Sequence, residues 1–344
     1  MWRILFFLSI GLLAGACRMP ETKVQPAFYH WQTALELSRP EQAYLKASNA
    51  GRLYIKFFDV DWDKERNMPV PQATLEVRPG GWEGKAIVPC VFITNEVFEQ
   101  LPQAEIAGLA QRVAERIERL SAGFPAGSIP EIQFDCDWTE STRAAYFQFL
   151  EAQGRFFASK RLLSATIRLH QVRYYRRTGV PPVDRGMLMF YNVGDLRDWN
   201  EPNSILRIEN ALPYLDKFER YPLPMDLALP LFAWGVIFRD GRMIRLMNNL
   251  RETDLGDSSR FTKLETGRFE VVKSTYLNGY YLYRGDRIRT ETVDADLLRE
   301  TVRILAPYFR HRAFTTAFYH LDSTTIKYLP YEQLEEIVAI LEKS

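Results

Sequence analysis

Ile132-Gln133-Phe134-Asp135-Cys136-Asp137-Trp138 is an apolar run that ends in two carboxylates two residues apart. Side chains on a strand alternate faces, so this run predicts a strand with Asp135 and Asp137 on one side. Two acids on one face of a buried strand are costly unless they are paired or used. Tyr54-Ile55-Lys56-Phe57-Phe58-Asp59-Val60-Asp61-Trp62 repeats the pattern. Asp-x-Asp-Trp thus occurs twice, each time at the end of an apolar run.

Outward from these two runs, strand-like and helix-like segments alternate. Ala104 to Leu120 carries apolar residues three and four apart (Ile106, Leu109, Val113, Ile117, Leu120), which predicts an amphipathic helix. Ser141 to Phe157 reads as a second helix. Ala27–Trp31, Leu53–Val60, Ala86–Thr94, Ile132–Asp137, Leu163–His170, Gly186–Asn192, Phe314–Leu321 and the apolar run Met225–Phe238, broken by Pro230, read as strands. Eight strands mostly separated by helices predict an α/β chain with a parallel sheet. A (β/α)8 TIM-type barrel suits the length, and an open doubly wound sheet is the alternative. Residues 250–293 break the rhythm. They contain Asn278-Gly279 between aromatic residues, a hairpin signal, and read as an inserted β-hairpin segment.

Residues 1–16 read as a signal peptide: Arg3, a short apolar stretch from Ile4 to Leu13, then small residues before Cys17. The stretch is shorter than the about 20 residues a bilayer span needs. Small residues directly before a cysteine resemble the bacterial lipobox, which implies lipidation of Cys17 and a membrane-anchored lipoprotein of the cell envelope. Ala14 stands where Leu is usual in that motif. Residues 17–26 then suit a tether, and 27–344 a single domain. Apolar residues make up 47 % of the chain, ample for a core. Basic residues number 44 against 43 acidic ones, which gives no electrostatic case for a nucleic-acid partner. Neither Gly-x-Gly-x-x-Gly nor Gly-x-x-x-x-Gly-Lys occurs, and no cofactor is expected. Cys90 and Cys136 read as buried free thiols, with a disulfide between neighbouring strands as the alternative.

A barrel places its site at the C-terminal ends of the strands. The ends predicted here carry Trp31, Asp59, Asp61, Asp135, Asp137, Arg168, His170, Tyr191, Trp234 and His320. Carboxylates beside aromatic rings suit a carbohydrate, because rings stack on sugars and carboxyls bond hydroxyls or move protons. Asp135 and Asp137 are the expected catalytic pair. Asp59, Asp61, Arg168, His170, Tyr191, Trp234 and His320 are the expected substrate contacts.

Phe134-Asp135-Cys136-Asp137-Trp138 resembles the strand-four signature of family 18 glycoside hydrolases, Asp-x-x-Asp-x-Asp-x-Glu. Met189-Phe190-Tyr191-Asn192 looks like their strand-six motif, and Trp234 is similar to their late-strand sugar-floor Trp. Together these residues resemble bacterial lipoproteins built on a glycoside-hydrolase-like TIM barrel. The resemblance implies a polysaccharide ligand. It departs at two positions: Ile132 replaces the first Asp, and Thr139 stands where the family's proton-donating Glu belongs, with Glu140 one place late. The family's catalysis therefore does not carry over.

Three functions compete. One is a glycosidase-like enzyme with Asp137 as acid/base and Asp135 orienting it. Another is a non-catalytic glycan-binding or assembly lipoprotein. The last is a hydrolase with a metal on Asp59, Asp61, Asp135, His170 and His320, although no His-x-His spacing supports it. Plainer readings stand beside them. Asp137 would cap the next helix through Glu140, Asp59 and Asp61 would pair with Lys56 or Lys64, Arg168 would be the counter-ion of Asp135, and the tyrosines at 276–283 would be hairpin packing.

Overall fold

Eight parallel strand pairings run in a closed circle. The computed structural model describes residues 22–343 apart from Pro79, Ala158, Ser159 and His311. The signal-like segment and Cys17 lie outside the described residues. The barrel strands are β1 (Lys23–His30), β2 (Arg52–Asp63), β3 (Ala86–Ile93), β4 (Glu131–Asp135), β5 (Leu162–Arg168), β6 (Arg185–Met189), β7 (Met225–Pro230) and β8 (Ala313–Tyr319). Each pairs in parallel with the next, and β8 pairs back onto β1. Closure removes the sheet edges, and the open doubly wound alternative is excluded.

The outer face of each strand is apolar because helices cover it. Phe134 meets Phe149 of the helix Arg143–Phe157 edge to face at 5.3 Å. The helix Ile106–Ser121 turns Ile106, Leu109, Val113 and Ile117 inward, as its spacing predicts. The inner face differs. On β4 the alternating residues Glu131, Gln133 and Asp135 are all buried and polar. Gln133 accepts from the Tyr29 hydroxyl at 2.7 Å and donates to Ser164 at 3.3 Å. Below it, Glu131 pairs with Arg52 at 2.6 Å. On the far wall, Asp226 holds Arg185 at 2.7 Å and accepts from the Thr315 amide at 2.6 Å. The barrel is therefore filled by polar layers that must pair strand to strand.

Several boundaries differ from the sequence reading. β1 begins at Lys23, four residues earlier than expected. The run Met225–Phe238 is two strands, not one: β7 stops at Pro230, and Trp234 opens a separate strand, Trp234–Arg239. Pro230 and the turn after it end the barrel strand, so Trp234 is not on barrel strand seven. The excursion is also larger than a hairpin. Trp234–Arg239, Arg242–Asn248, Arg287–Glu291, Arg268–Val271 and Phe261–Glu265 form a five-stranded antiparallel sheet between β7 and β8. Thr275–Leu277 and Tyr280–Leu282 add the expected hairpin, turning at Asn278-Gly279 with both φ positive. Cys90 and Cys136 are buried and form no disulfide among the described residues.

Asp226→Ala removes a fully buried carboxylate and strands Arg185 and the Thr315 amide. The expected cost is about 3–5 kcal/mol of unfolding free energy, readable as a lower urea midpoint at unchanged m-value.

Candidate active site: the carboxylate and aromatic mouth of the barrel

Two adjoining cavities open where β4, β5, β6 and β8 end. The larger, about 490 Å³, is lined by Asp135, Arg168, Tyr191, Phe232, Trp234 and Tyr319 together with Trp31, Asn248, Asn249 and His320. The smaller, about 340 Å³, is lined by Asp137, Arg168, His170, Tyr191, Asn192 and Tyr214. Arg168, Tyr191 and Asn192 line both, so the two halves of this cleft adjoin across those side chains.

Tyr319, at the end of β8, is the centre of the floor. Its ring lies 5.6 to 5.8 Å from those of Tyr29, Trp31, Tyr191 and Phe232. Phe232 continues the surface to Trp234 at 5.2 Å. Asn192 sits at φ 58°, a left-handed conformation that Asn tolerates, and turns the chain sharply after β6. Trp234 therefore forms a wall supplied by the inserted sheet, and the late-strand aromatic on the floor is Tyr319.

Asp135 is buried at the end of β4 and accepts from the Thr166 hydroxyl at 2.6 Å. Burial pushes its carboxyl above the ordinary carboxylate value. Asp137 and Asp59 add to the rise, while Arg168 and Thr166 oppose it. Asp137 lies two residues on, past the end of the strand and more than half exposed. Both of its oxygens accept from Arg168. Arg168 is thus the direct partner of Asp137, not of Asp135, although its charge is felt by both. Buried Gln171 fixes this pair. It donates to the Trp138 carbonyl at 3.0 Å and accepts from the Arg168 amide at 2.7 Å, which ties the exits of β4 and β5 together.

The remaining expected residues divide. His170 lines the smaller cavity and His320 the larger. Burial lowers both imidazoles from their ordinary value. Asp59 stands level with Asp135, one strand beyond Phe92 in the register, and accepts from Lys56 at 3.0 Å. Asp61 lines neither cavity. It accepts from Thr94 at 3.0 Å and braces the end of β2 against the exit of β3. Trp62 and Trp138 of the Asp-x-Asp-Trp repeats are buried in the core. Trp138 stacks on Tyr146 at 5.3 Å and donates to the Thr178 carbonyl. Thr139 and Thr142 brace the turn before the next helix, so Asp137 does not cap it. Glu140 is exposed and paired with Arg177. Asp59, Asp61, Asp135, His170 and His320 do not come together as one ligand set, and no group of three or more His, Cys, Asp or Glu side chains among the described residues could hold a metal ion.

Sequence reasoning missed Phe232, Tyr214, Asn248 and Asn249, which reach the cleft from the turn after Pro230, from the 3-10 helix Leu212–Arg220 and from the end of an inserted strand. It also missed Glu291. That carboxylate, 2 % exposed, accepts from the Trp234 indole at 2.8 Å and from the Ser204 amide and hydroxyl at 2.7 and 2.6 Å. Its other oxygen accepts from Arg289 at 2.6 Å, and Arg289 donates onward to the Asp198 carbonyl. The cleft wall, the loop 193–206 and the inserted sheet share this one acid.

The barrel with its strand-end cleft defines the class to which the chain is similar. No protein-family model matches the chain, and a search of curated proteins finds no match. Solved structures do resemble it. The spore cortex-lytic enzyme SleL of Bacillus cereus superposes with a TM-score of 0.56 at 12 % identity, covering 94 % of this chain and 76 % of that one. A chitinase of Chromobacterium violaceum gives 0.56 at 12 % identity, over 92 % and 99 %. A Group IV chitinase of Ostrinia furnacalis gives 0.54 at 10 % identity, over 92 % and 100 %. The resemblance read from β4 and β6 thus extends, at low identity, to the whole TIM-barrel fold.

The Asp135 environment has a consequence for stability. A carboxyl whose folded pKa is raised holds its proton more tightly in the folded than in the unfolded chain. Stability therefore falls as pH rises from the ordinary value of 3.8 toward the raised one. Asp135→Asn keeps an acceptor for Thr166 and removes the buried charge. The variant should melt higher than the parent at about pH 7, and the two should converge near pH 3, as read by calorimetry.

Proposed function

We propose that the protein is exported, is held at the cell envelope through an acylated Cys17, and recognises a polysaccharide strand in the cleft. The observation that carries this reading is the cluster of aromatic rings around Tyr319 in the cleft, with one buried carboxyl, Asp135, beside it. Ring faces stack on the apolar faces of sugars, and the carboxyl and Arg168 supply hydrogen-bond partners for hydroxyls. The chitinase and cortex-lytic neighbours support a polysaccharide as the ligand class.

Binding is favoured over hydrolysis by the surroundings of position 139. Glycoside hydrolysis needs a proton donor beside the scissile bond. Thr139 is engaged with Ser141 and Thr142, and Glu140 is turned to Arg177 outside the cleft. Asp137, the expected acid/base, is held by Arg168. One observation favours a second reading, retained hydrolysis. Burial raises the Asp135 carboxyl in the direction a general acid uses, and it lines the larger cavity. In that reading Asp135 is the donor and Asp137 is held in place by Arg168.

Titration calorimetry with N-acetylglucosamine oligomers and bacterial cell-wall glycan fragments tests the assignment. Trp234→Ala should weaken binding at least tenfold, about 1.4 kcal/mol. Wild-type affinity in that variant and in Tyr319→Ala would remove the cleft from consideration. Product analysis on the same glycans separates the two readings: release of shorter chains that stops in Asp135→Asn establishes hydrolysis. Cys17→Ser should shift the protein from the membrane fraction to the soluble one and abolish fatty-acid labelling.

A further inference from the structure

The hairpin of the inserted sheet presents a second aromatic surface that the cleft does not use. Leu277, Leu282 and Tyr280 fold onto the outer face of the sheet, against Ile237, Met247, Phe269 and Ile288. Trp234, Val236 and Phe238 point from the opposite face toward the barrel. What the hairpin turns outward is Tyr276, Tyr281 and Tyr283, 68 %, 38 % and 53 % exposed. Tyr276 and Tyr281 are direct cross-strand partners with ring centroids 4.9 Å apart, and Tyr281 to Tyr283 is 5.1 Å. The Arg239 guanidinium lies 4.4 Å from the Tyr283 ring and is fixed by two bonds to Asp286 at 2.7 and 2.8 Å. Arg245 lies 4.5 Å from the Tyr280 ring.

Charge narrows what could occupy this surface. Arg245, Lys273 and Arg284 are exposed, and none of them forms an ion pair among the described residues. Asp286, the one acid in 273–286, is buried and already taken by Arg239. Size narrows it further. Three tyrosines bury at most about 150–250 Å² each, and these are partly covered already. The patch falls short of the roughly 800 Å² per partner of a standard protein interface. It matches a few sugar rings. Successive rings are turned by 65° and 88°, so they form no plane for a flat crystalline surface and suit a single chain.

We propose that Tyr276, Tyr281 and Tyr283, flanked by Lys273 and Arg284, form an auxiliary site for a single strand of an anionic, carboxylate-bearing polysaccharide, separate from the cleft. Rings stack on the sugars, and the unpaired cations meet the acid groups.

Affinity electrophoresis of the full chain in polygalacturonate gels tests this site, with N-acetylglucosamine oligomers as the neutral comparison. Wild-type protein should be retarded by polygalacturonate. Tyr276→Ala/Tyr283→Ala should reduce that affinity at least tenfold, with Tm within a few degrees of the parent. Lys273→Gln/Arg284→Gln leaves the rings and the fold in place. It should weaken binding several-fold and flatten its dependence on salt. Tyr319→Ala, on β8 and outside the inserted sheet, should leave polygalacturonate binding intact while cleft binding falls, so the two sites fail independently. The proposal is overturned if polygalacturonate does not retard the wild type, if the tyrosine variant binds as tightly as the parent, or if Tyr319→Ala alone abolishes the interaction.

Discussion

Burying a polar group inside a closed barrel is costly unless it is paired, and this barrel is polar inside. Glu131, Gln133 and Asp135 project from β4 at three successive levels, and each finds its partner on another strand: Arg52, then Tyr29 and Ser164, then Thr166. Such groups cost more when half satisfied than when absent. Register around the barrel is therefore set by hydrogen bonds as well as by packing, because a one-residue slip would exchange the polar column with Ile132 and Phe134. The same column rises to the mouth, where its top member, Asp135, meets the cleft. Stability and site are one series of side chains on a single strand.

The barrel was legible in the sequence because its signal is local. Each strand needs an apolar outer face, and each helix needs an apolar stripe. The helices Ile106–Ser121 and Arg143–Phe157 fall within a few residues of their predicted places. The Asn278-Gly279 turn was legible for the same reason: two positive φ values select those residues at that point of the chain.

The cleft was legible mainly where a barrel strand end points into it; Trp234 was also expected there but arrives from the inserted sheet. Asp135, Arg168 and Tyr191 sit at such ends, and His320 directly follows one. Asp61 sits at one too, yet it faces Thr94, because alternation along an extended β2 does not say which side of a bent strand end meets the mouth. The two Asp-x-Asp-Trp runs look alike and behave differently, since β4 stops at its first Asp whereas β2 continues into an antiparallel pairing with Met68–Gln72. Phe232, Asn248 and Asn249 depend on how far the chain travels after Pro230, a three-dimensional fact with no local marker.

Glu291 gives the inserted sheet a meaning beyond decoration. One carboxylate receives donors from Trp234, Ser204 and Arg289, drawn from both ends of the insertion and from the loop after β6. An insertion joined this way is not a detachable module. Grafting it onto another barrel without Ser204 and its loop would leave a buried charge short of partners. Deleting it would remove a wall of the cleft and unpin the loop at the same time. The cleft and the inserted sheet are therefore constrained to diverge together, so variation in the shape of one should be accompanied by variation in the other.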